Sequence, residues 1–275
     1  LWKIYNADDK LEAQTYSIYW NRTDDFTATL IVGFDAGNNT ATTALTYKGT
    51  AGNSVIIRTN SYDTVLTIDA VKDSVQHFDK VGSVFITAVA PKSYHEFGDV
   101  QGNISLANGR VVMESGSKAS AVKVTATADD VSKGNATVAV DNTAAPTVAV
   151  VVPADVKTAL ETKGGDNKLN ASNDSVITDE KTIANMDKFA GGLGTEDSPY
   201  LIATVDELTN INKVNDTKGV FVKLANNLVI SYDKLTKMQW TGYDWYTYCA
   251  VTNFNGVFDG AGYEIVLPDA TNFSD

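Results

Sequence analysis

Two groups of residues in this sequence have types and spacings that could do chemistry. The first is aromatic: Trp240, Tyr243, Trp245, Tyr246 and Tyr248 crowd into residues 238–250, MQWTGYDWYTYCA. Rings presented on a loop beside polar side chains suit sugar contact, the ring faces lying on C–H bonds while the polar groups take the hydroxyls. The competing use of the same rings is to cover the open end or one flank of a β structure. The second group is the only two histidines, His77 and His95. A histidine facing a carboxylate makes a pH-sensitive contact. Catalysis by an imidazole needs a nucleophile or a metal, and the sequence nominates neither.

The other chemically capable residues select no site. Asp8, Asp9, Asp24, Asp25, Asp63, Asp69, Asp73, Asp79, Asp129 and Asp130 could offer oxygens to an adventitious calcium ion. No EF-hand spacing and no Gly-Gly-x-Gly-x-Asp repeat accompanies them, so no resident metal or other cofactor is expected. Arg22, Arg58 and Arg110 are the only arginines. A polysaccharide lyase needs cations beside an acidic sugar, and Arg58 and Arg110 are not a whole number of repeats apart. A glycosidase needs two carboxylates at a set separation, and no two stand out. Gly192-Leu193-Gly194 is not a dinucleotide loop, because Asp197 stands where the third glycine belongs and a strand follows in place of a helix. No catalytic residue is therefore expected.

Composition points the same way. The 275 residues carry 34 Asp+Glu against 22 Lys+Arg, a formal net charge of -12. An acidic chain with three arginines makes a poor phosphate binder, so nucleic acid is excluded as a partner. No apolar run is long enough to span a membrane. A single cysteine, Cys249, rules out an internal disulfide framework and a Cys-cluster zinc site, and reads as a small buried or semi-buried residue. With 30 Val and 31 Thr, the chain is rich in β-branched residues that favour strands, and 22 Asn and 20 Gly supply tight turns.

These residues are arranged as a repeat. Residues 64–74 (TVLTIDAVKDS) align on 83–93 (SVFITAVAPKS), and 75–81 (VQHFDKV) on 94–100 (YHEFGDV), at an offset of 19. In that register His77 lies on Glu96, His95 on Gln76 and Phe78 on Phe97. A looser third copy starts near Ile104. Strand-like runs also occur at 14–20, 26–34, 41–47, 121–128, 136–141 and 147–152. A period near 20 residues, built of β-branched pairs and Gly/Asn/Asp turns, marks a β-solenoid, whose coils bury their inward faces only by stacking. The alternative for this half is an antiparallel β-sandwich. The histidines are expected on an exposed polar ladder of the outer face.

Residues 153–163 carry helix punctuation, with Pro153 at the start and Gly164-Gly165 beyond the end. Residues 164–188 are polar and read as a linker. Further on, Thr204 with Glu207 forms a capping box for a helix over 205–212, and strands are expected at 220–224 and 228–230. Asp259-Gly260 is a tight turn flanked by Phe258 and Ile265, both expected to point inward.

Two motifs carry a resemblance. Gly191-Gly192-Leu193-Gly194-Thr195 with Pro199-Tyr200-Leu201-Ile202, and Phe254-x-Gly256-x-Phe258-Asp259-Gly260-x-Gly262-Tyr263-x-Ile265, are spaced as in right-handed β-helix modules of bacterial cell-surface proteins with GLUG-type repeats. Residues 186–268 resemble such a module. The resemblance implies an all-β, right-handed parallel β-helix. The chain then divides into an N-terminal β cap (1–52), a solenoid region ending in a short helix (53–163), a linker (164–188) and a second, truncated β-helix-like module (189–275). The function expected is a non-catalytic stalk or adhesin at the bacterial cell surface, contacting host or microbial glycans or extracellular-matrix proteins. A carbohydrate-binding module using the 240–248 aromatics and a fragment of a polysaccharide-active enzyme are the alternatives.

Overall fold

A computed structural model describes residues 15–20, 27–32, 43–49, 54–70, 73–89, 93–141, 148–165, 167–169, 176–239 and 246–267. The chain forms two compact units, residues 1–183 and 184–275.

The first unit is built from the two-residue alternation of strands. It contains β1 (Thr15–Trp20), β2 (Thr27–Val32), β3 (Thr43–Gly49), β4 (Ser54–Ala70), β5 (Ser74–Val89), β6 (Tyr94–Glu96), β7 (Asp99–Val100), β8 (Asn103–Leu106), β9 (Gly109–Met113), β10 (Ala121–Val124), β11 (Val138–Asp141), β12 (Val150–Val151) and β13 (Val176–Ile177). In β4, Val55, Ile57, Thr59 and Ser61 are buried, and then Thr64, Leu66 and Ile68. The step from 61 to 64 is three residues where the others are two. There the strand turns a corner and its inward set resumes on a second face. β5 repeats the device between Val81 and Val84.

Among the described residues of this unit every strand pairing is parallel, and each strand pairs with segments about one repeat away in sequence. Leu45, Leu66, Val84, Ile104, Val122 and Val150 stand in consecutive register and are all completely buried, one per layer. Burying each such side chain contributes about 1.5–3 kcal/mol. The unit is thus all-β and solenoid-like. The hairpins of a sandwich would pair consecutive strands antiparallel, whereas the consecutive strands that pair here, β3 with β4, β4 with β5 and β5 with β6, run parallel.

The aligned repeat holds at 75–81, where Val75 pairs with Tyr94, His77 with Glu96 and Val81 with Val100. It is one residue out at 64–68. Val65, not Thr64, faces Ser83. Between Ser61 and Val65 the chain of β4 passes three residues, whereas β5 passes one between Val81 and Ser83, so the register moves by two at the corner. Later layers are longer. Between β10 and β12 the chain inserts helix α1 (Ala128–Lys133), whose N-cap Thr127 accepts from the Asp130 N–H. Helix α2 (Ala154–Lys163) follows Pro153 and ends at Gly164. Within 164–188, β13 pairs with β12, the Lys168 N–H donates to the Val138 carbonyl, and helix α3 spans Glu180–Met186.

The second unit holds a parallel sheet of β14 (Tyr200–Ile202), β15 (Phe221–Leu224) and β19 (Val257–Asp259), a parallel pair of β16 (Leu228–Val229) with β20 (Ile265–Val266), and an antiparallel pair of β17 (Thr236–Gln239) with β18 (Tyr246–Cys249). Helix α4 (Val205–Asn210) starts with the Thr204/Glu207 capping box and continues into a 3-10 turn, Ile211–Lys213. Gly192 has φ 86°, and a Cβ there would lie 1.9 Å from the Pro199 carbonyl oxygen, so the glycine-rich segment folds back tightly on Tyr200. The turn expected at Asp259-Gly260 forms one step further on: Asp259 ends β19, and the Tyr263 N–H donates to the Gly260 carbonyl around Ala261 and Gly262, both with positive φ. Phe258 and Ile265 do not end up inside. They continue the interior columns of Val222 and Leu228, but are 40% and 38% exposed, because no further strand among the described residues lies on β19 or β20.

Candidate functional site

The aromatic group lies mostly outside the described residues. Trp240, Tyr243 and Trp245 are among those not described, and Tyr246 and Tyr248 stand on β18, paired with Gln239 and Lys237 of β17. Among the described residues, no three or more His, Cys, Asp or Glu side chains converge as a metal site would require. Of the aspartates named from sequence, Asp69 pairs with Lys48 (3.5 Å), Asp79 with Arg58 (3.1 Å) and Asp129 with Lys133 (2.5 Å). Arg110 pairs with Asp141.

The strongest polar constellation is internal. His77 and Glu96 are completely buried. This corrects the expectation of an exposed ladder. His77 follows Val75 by two residues, so strand alternation turns both inward, and the Val75–His77 step in the sequence carried that signal. The His77 column reads Ile57, His77, Glu96, Met113, two polar residues between two apolar ones. His77 Nδ1 lies 2.8 and 2.9 Å from the two Glu96 carboxylate oxygens. Its Nε2 lies 2.7 Å from Thr59 Oγ1. The Tyr94 hydroxyl donates to Glu96 Oε2 at 2.6 Å, and the Gly98 N–H donates to Oε1 at 2.6 Å. Burial, with the Glu96 charge beside it, pushes the Tyr94 hydroxyl well above its ordinary pKa, so it stays a donor. A second buried pair, the Tyr47 hydroxyl on Asp73 at 2.8 Å, follows the same pattern.

Thr59, His77 and Glu96 are ordered like a nucleophile, a base and an orienting carboxylate. Sequence reasoning missed Thr59, whose separation of 18 from His77 is close to the repeat. Nucleophilic use is blocked by access and by proton placement: Thr59 is 1% exposed, and its hydroxyl donates to the Lys80 carbonyl at 2.7 Å.

The outer face of the same layers is a ladder. The Arg58 guanidinium sits 4.7 Å from the centre of the Phe78 ring, which stacks on Phe97 at 4.6 Å with planes 7° apart. His95 belongs to this face, half-buried and 2.7 Å from Glu114. Tyr62 donates to Asp99 at 2.9 Å and receives Lys80 over its ring. These side chains pair with one another from layer to layer, as expected of cross-strand neighbours. Compared with protein-family models, curated proteins and solved structures, the chain matches none, and its function is read from these residues.

Proposed function

We propose that this chain is a non-catalytic module of the right-handed parallel β-helix type, acting as a stiff stalk or adhesive surface on the outside of a bacterial cell. The observation that carries it is the parallel stacking of the first unit with its threonine hydroxyl, imidazole and carboxylate sealed inside. A solenoid contacts only its neighbouring layers, grows lengthwise, and presents flat faces of repeated side chains, which suits spacing and adhesion. The glycine-rich and F-D-G-x-G motifs of the second unit support the same reading through their resemblance to GLUG-type surface modules. Host or microbial glycans and extracellular-matrix proteins are the proposed partners, with no cofactor.

The test is an array of glycans and matrix proteins probed with the soluble chain in millimolar calcium. A Trp240→Ala, Trp245→Ala double variant is run alongside, with assays for reducing ends and unsaturated sugars released from pectins and mucin glycans. Binding without product release is the expected result. Release of product above a heat-inactivated control would overturn the non-catalytic reading. Tyr246 and Tyr248 on a paired strand beside the tryptophan-bearing segment favour a second reading, a carbohydrate-binding module. Binding lost in the double variant would select it, and binding retained would place recognition on the solenoid faces.

A further inference from the structure

We infer that the His77–Glu96 contact is a buried imidazolium–carboxylate pair whose role is to fix the register between successive layers of the solenoid. Proton placement follows from geometry. The Thr59 hydroxyl has one proton and two close neighbours, the Lys80 carbonyl and His77 Nε2, both at 2.7 Å. A carbonyl cannot donate, so both contacts are hydrogen bonds only if Thr59 donates to Lys80 and His77 Nε2–H donates to Thr59. On the other side, Glu96 accepts from Tyr94 and from the Gly98 N–H, as an ionised carboxylate does, and His77 Nδ1 sits against both its oxygens. With Glu96 ionised, Nδ1 is a donor too, and the ring carries both protons.

The need for such a pair comes from the pattern around it. Strand alternation has a period of two, so a slip of one residue turns every apolar side chain outward, but a slip of two leaves the apolar pattern intact. Corners of unequal length already move the register of β4 on β5 by two. The apolar residues of β5 and β6 therefore accept more than one alignment. The polar pair accepts one. Slipped by two in one direction, Glu96 faces Val75 and His77 faces Gly98. In the other direction, Glu96 faces Asp79 and His77 faces Tyr94. Each slip buries a charge without its partner, which disfavours the slipped population by about a hundredfold or more. The groups that face the imidazole are Thr59 and Ile57 from β4 and Glu96 and Tyr94 from β6, so the contact spans three layers.

Register can be read by crosslinking on the outer face, in the full chain with Cys249→Ser. Gln76→Cys with His95→Cys reports the native register, in which these residues are direct partners. Gln76→Cys with Phe97→Cys reports the slip, because a diagonal pair is too distant for a disulfide until the strand moves. Only the native crosslink is expected with His77 and Glu96 present. With His77→Leu and Glu96→Leu together, the slipped crosslink is expected to appear as well. A slipped crosslink in the chain that keeps the pair, or its absence from the double-leucine chain, would overturn the inference. Should the double-leucine chain not fold, the imidazole spectrum of the unaltered protein decides. Two exchange-protected ring N–H protons on His77 support the pair, and a single ring proton overturns it.

Discussion

Glu96 has its acceptor positions filled from within: a hydroxyl, a backbone N–H and an imidazole converge on one carboxylate with no exposure. Removing one member leaves the others buried and unmatched, which costs more than the bond itself. Tyr94→Phe removes a donor to a charged acceptor and should destabilise by about 1.5–3 kcal/mol. His77→Ala leaves the carboxylate without its cation and should cost about 3–5 kcal/mol. Urea denaturation of the two variants checks both the sizes and their order, and equal small losses would mean that the network is hydrated. Gly98 is a steric case beside it. A Cβ there would meet the backbone oxygen of Asp79 at 2.2 Å and its nitrogen at 2.7 Å. Backbone in a stacked layer cannot swing aside as a side chain can, so Gly98→Ala should cost about 1–3 kcal/mol by the same assay.

Elements with local punctuation were legible in the sequence. The Thr204/Glu207 capping box, the Pro153 start of α2 and the turn that follows Asp259 each depend on residues within a few positions of one another. Corners were not legible. Nothing in residues 61–65 separates a corner of three residues from a continuing strand, so the register beyond it was misread by one. The capping box also makes a pH prediction. Desolvation raises the Glu207 carboxyl above its ordinary range, although hydrogen bonds from the Ala203 and Thr204 N–H groups pull it back, and the neighbouring Asp206 adds to the rise. A carboxyl raised in the fold favours the protonated form. Its contribution to stability is complete below the unfolded value of about 4.3 and is lost as pH rises through the higher folded value. Glu207→Gln keeps an acceptor for both N–H groups and cannot ionise. The stability of the unaltered chain relative to Glu207→Gln should therefore fall as pH rises from about 4, measured by denaturation at a series of pH values. Thr204→Ala, which removes the other half of the box, should cost about 1 kcal/mol.

Over the whole of the first unit, stability should be graded along the stack, because each layer is held only by the layers next to it. The fold class was readable because layers repeat, and a repeat is a statement about distant residues that one sequence can make by itself. Its grading was not readable, because it depends on how far each pair of strands runs together. β4 and β5 run together from Ser54 to Ala70 against Ser74 to Val89, whereas among the described residues β12 meets β10 and β13 through Val150 and Val151 alone. Amides in the middle of β4 and β5 should open only by near-global unfolding. The Val122 N–H, bonded to the Ala149 carbonyl, and the Val152 N–H, bonded to the Ile177 carbonyl, should open locally and exchange faster. Leu66→Ala is the test of propagation. Leu66 is fully buried in the column between Leu45 and Val84, and its truncation should cost about 2–5 kcal/mol. In a chain of nearest-neighbour layers, that loss should raise exchange most in β3, β4 and β5 and fade toward β12 and β13. A uniform rise across all layers would show instead that the unit opens as one cooperative body, whose stability is not divided among its layers.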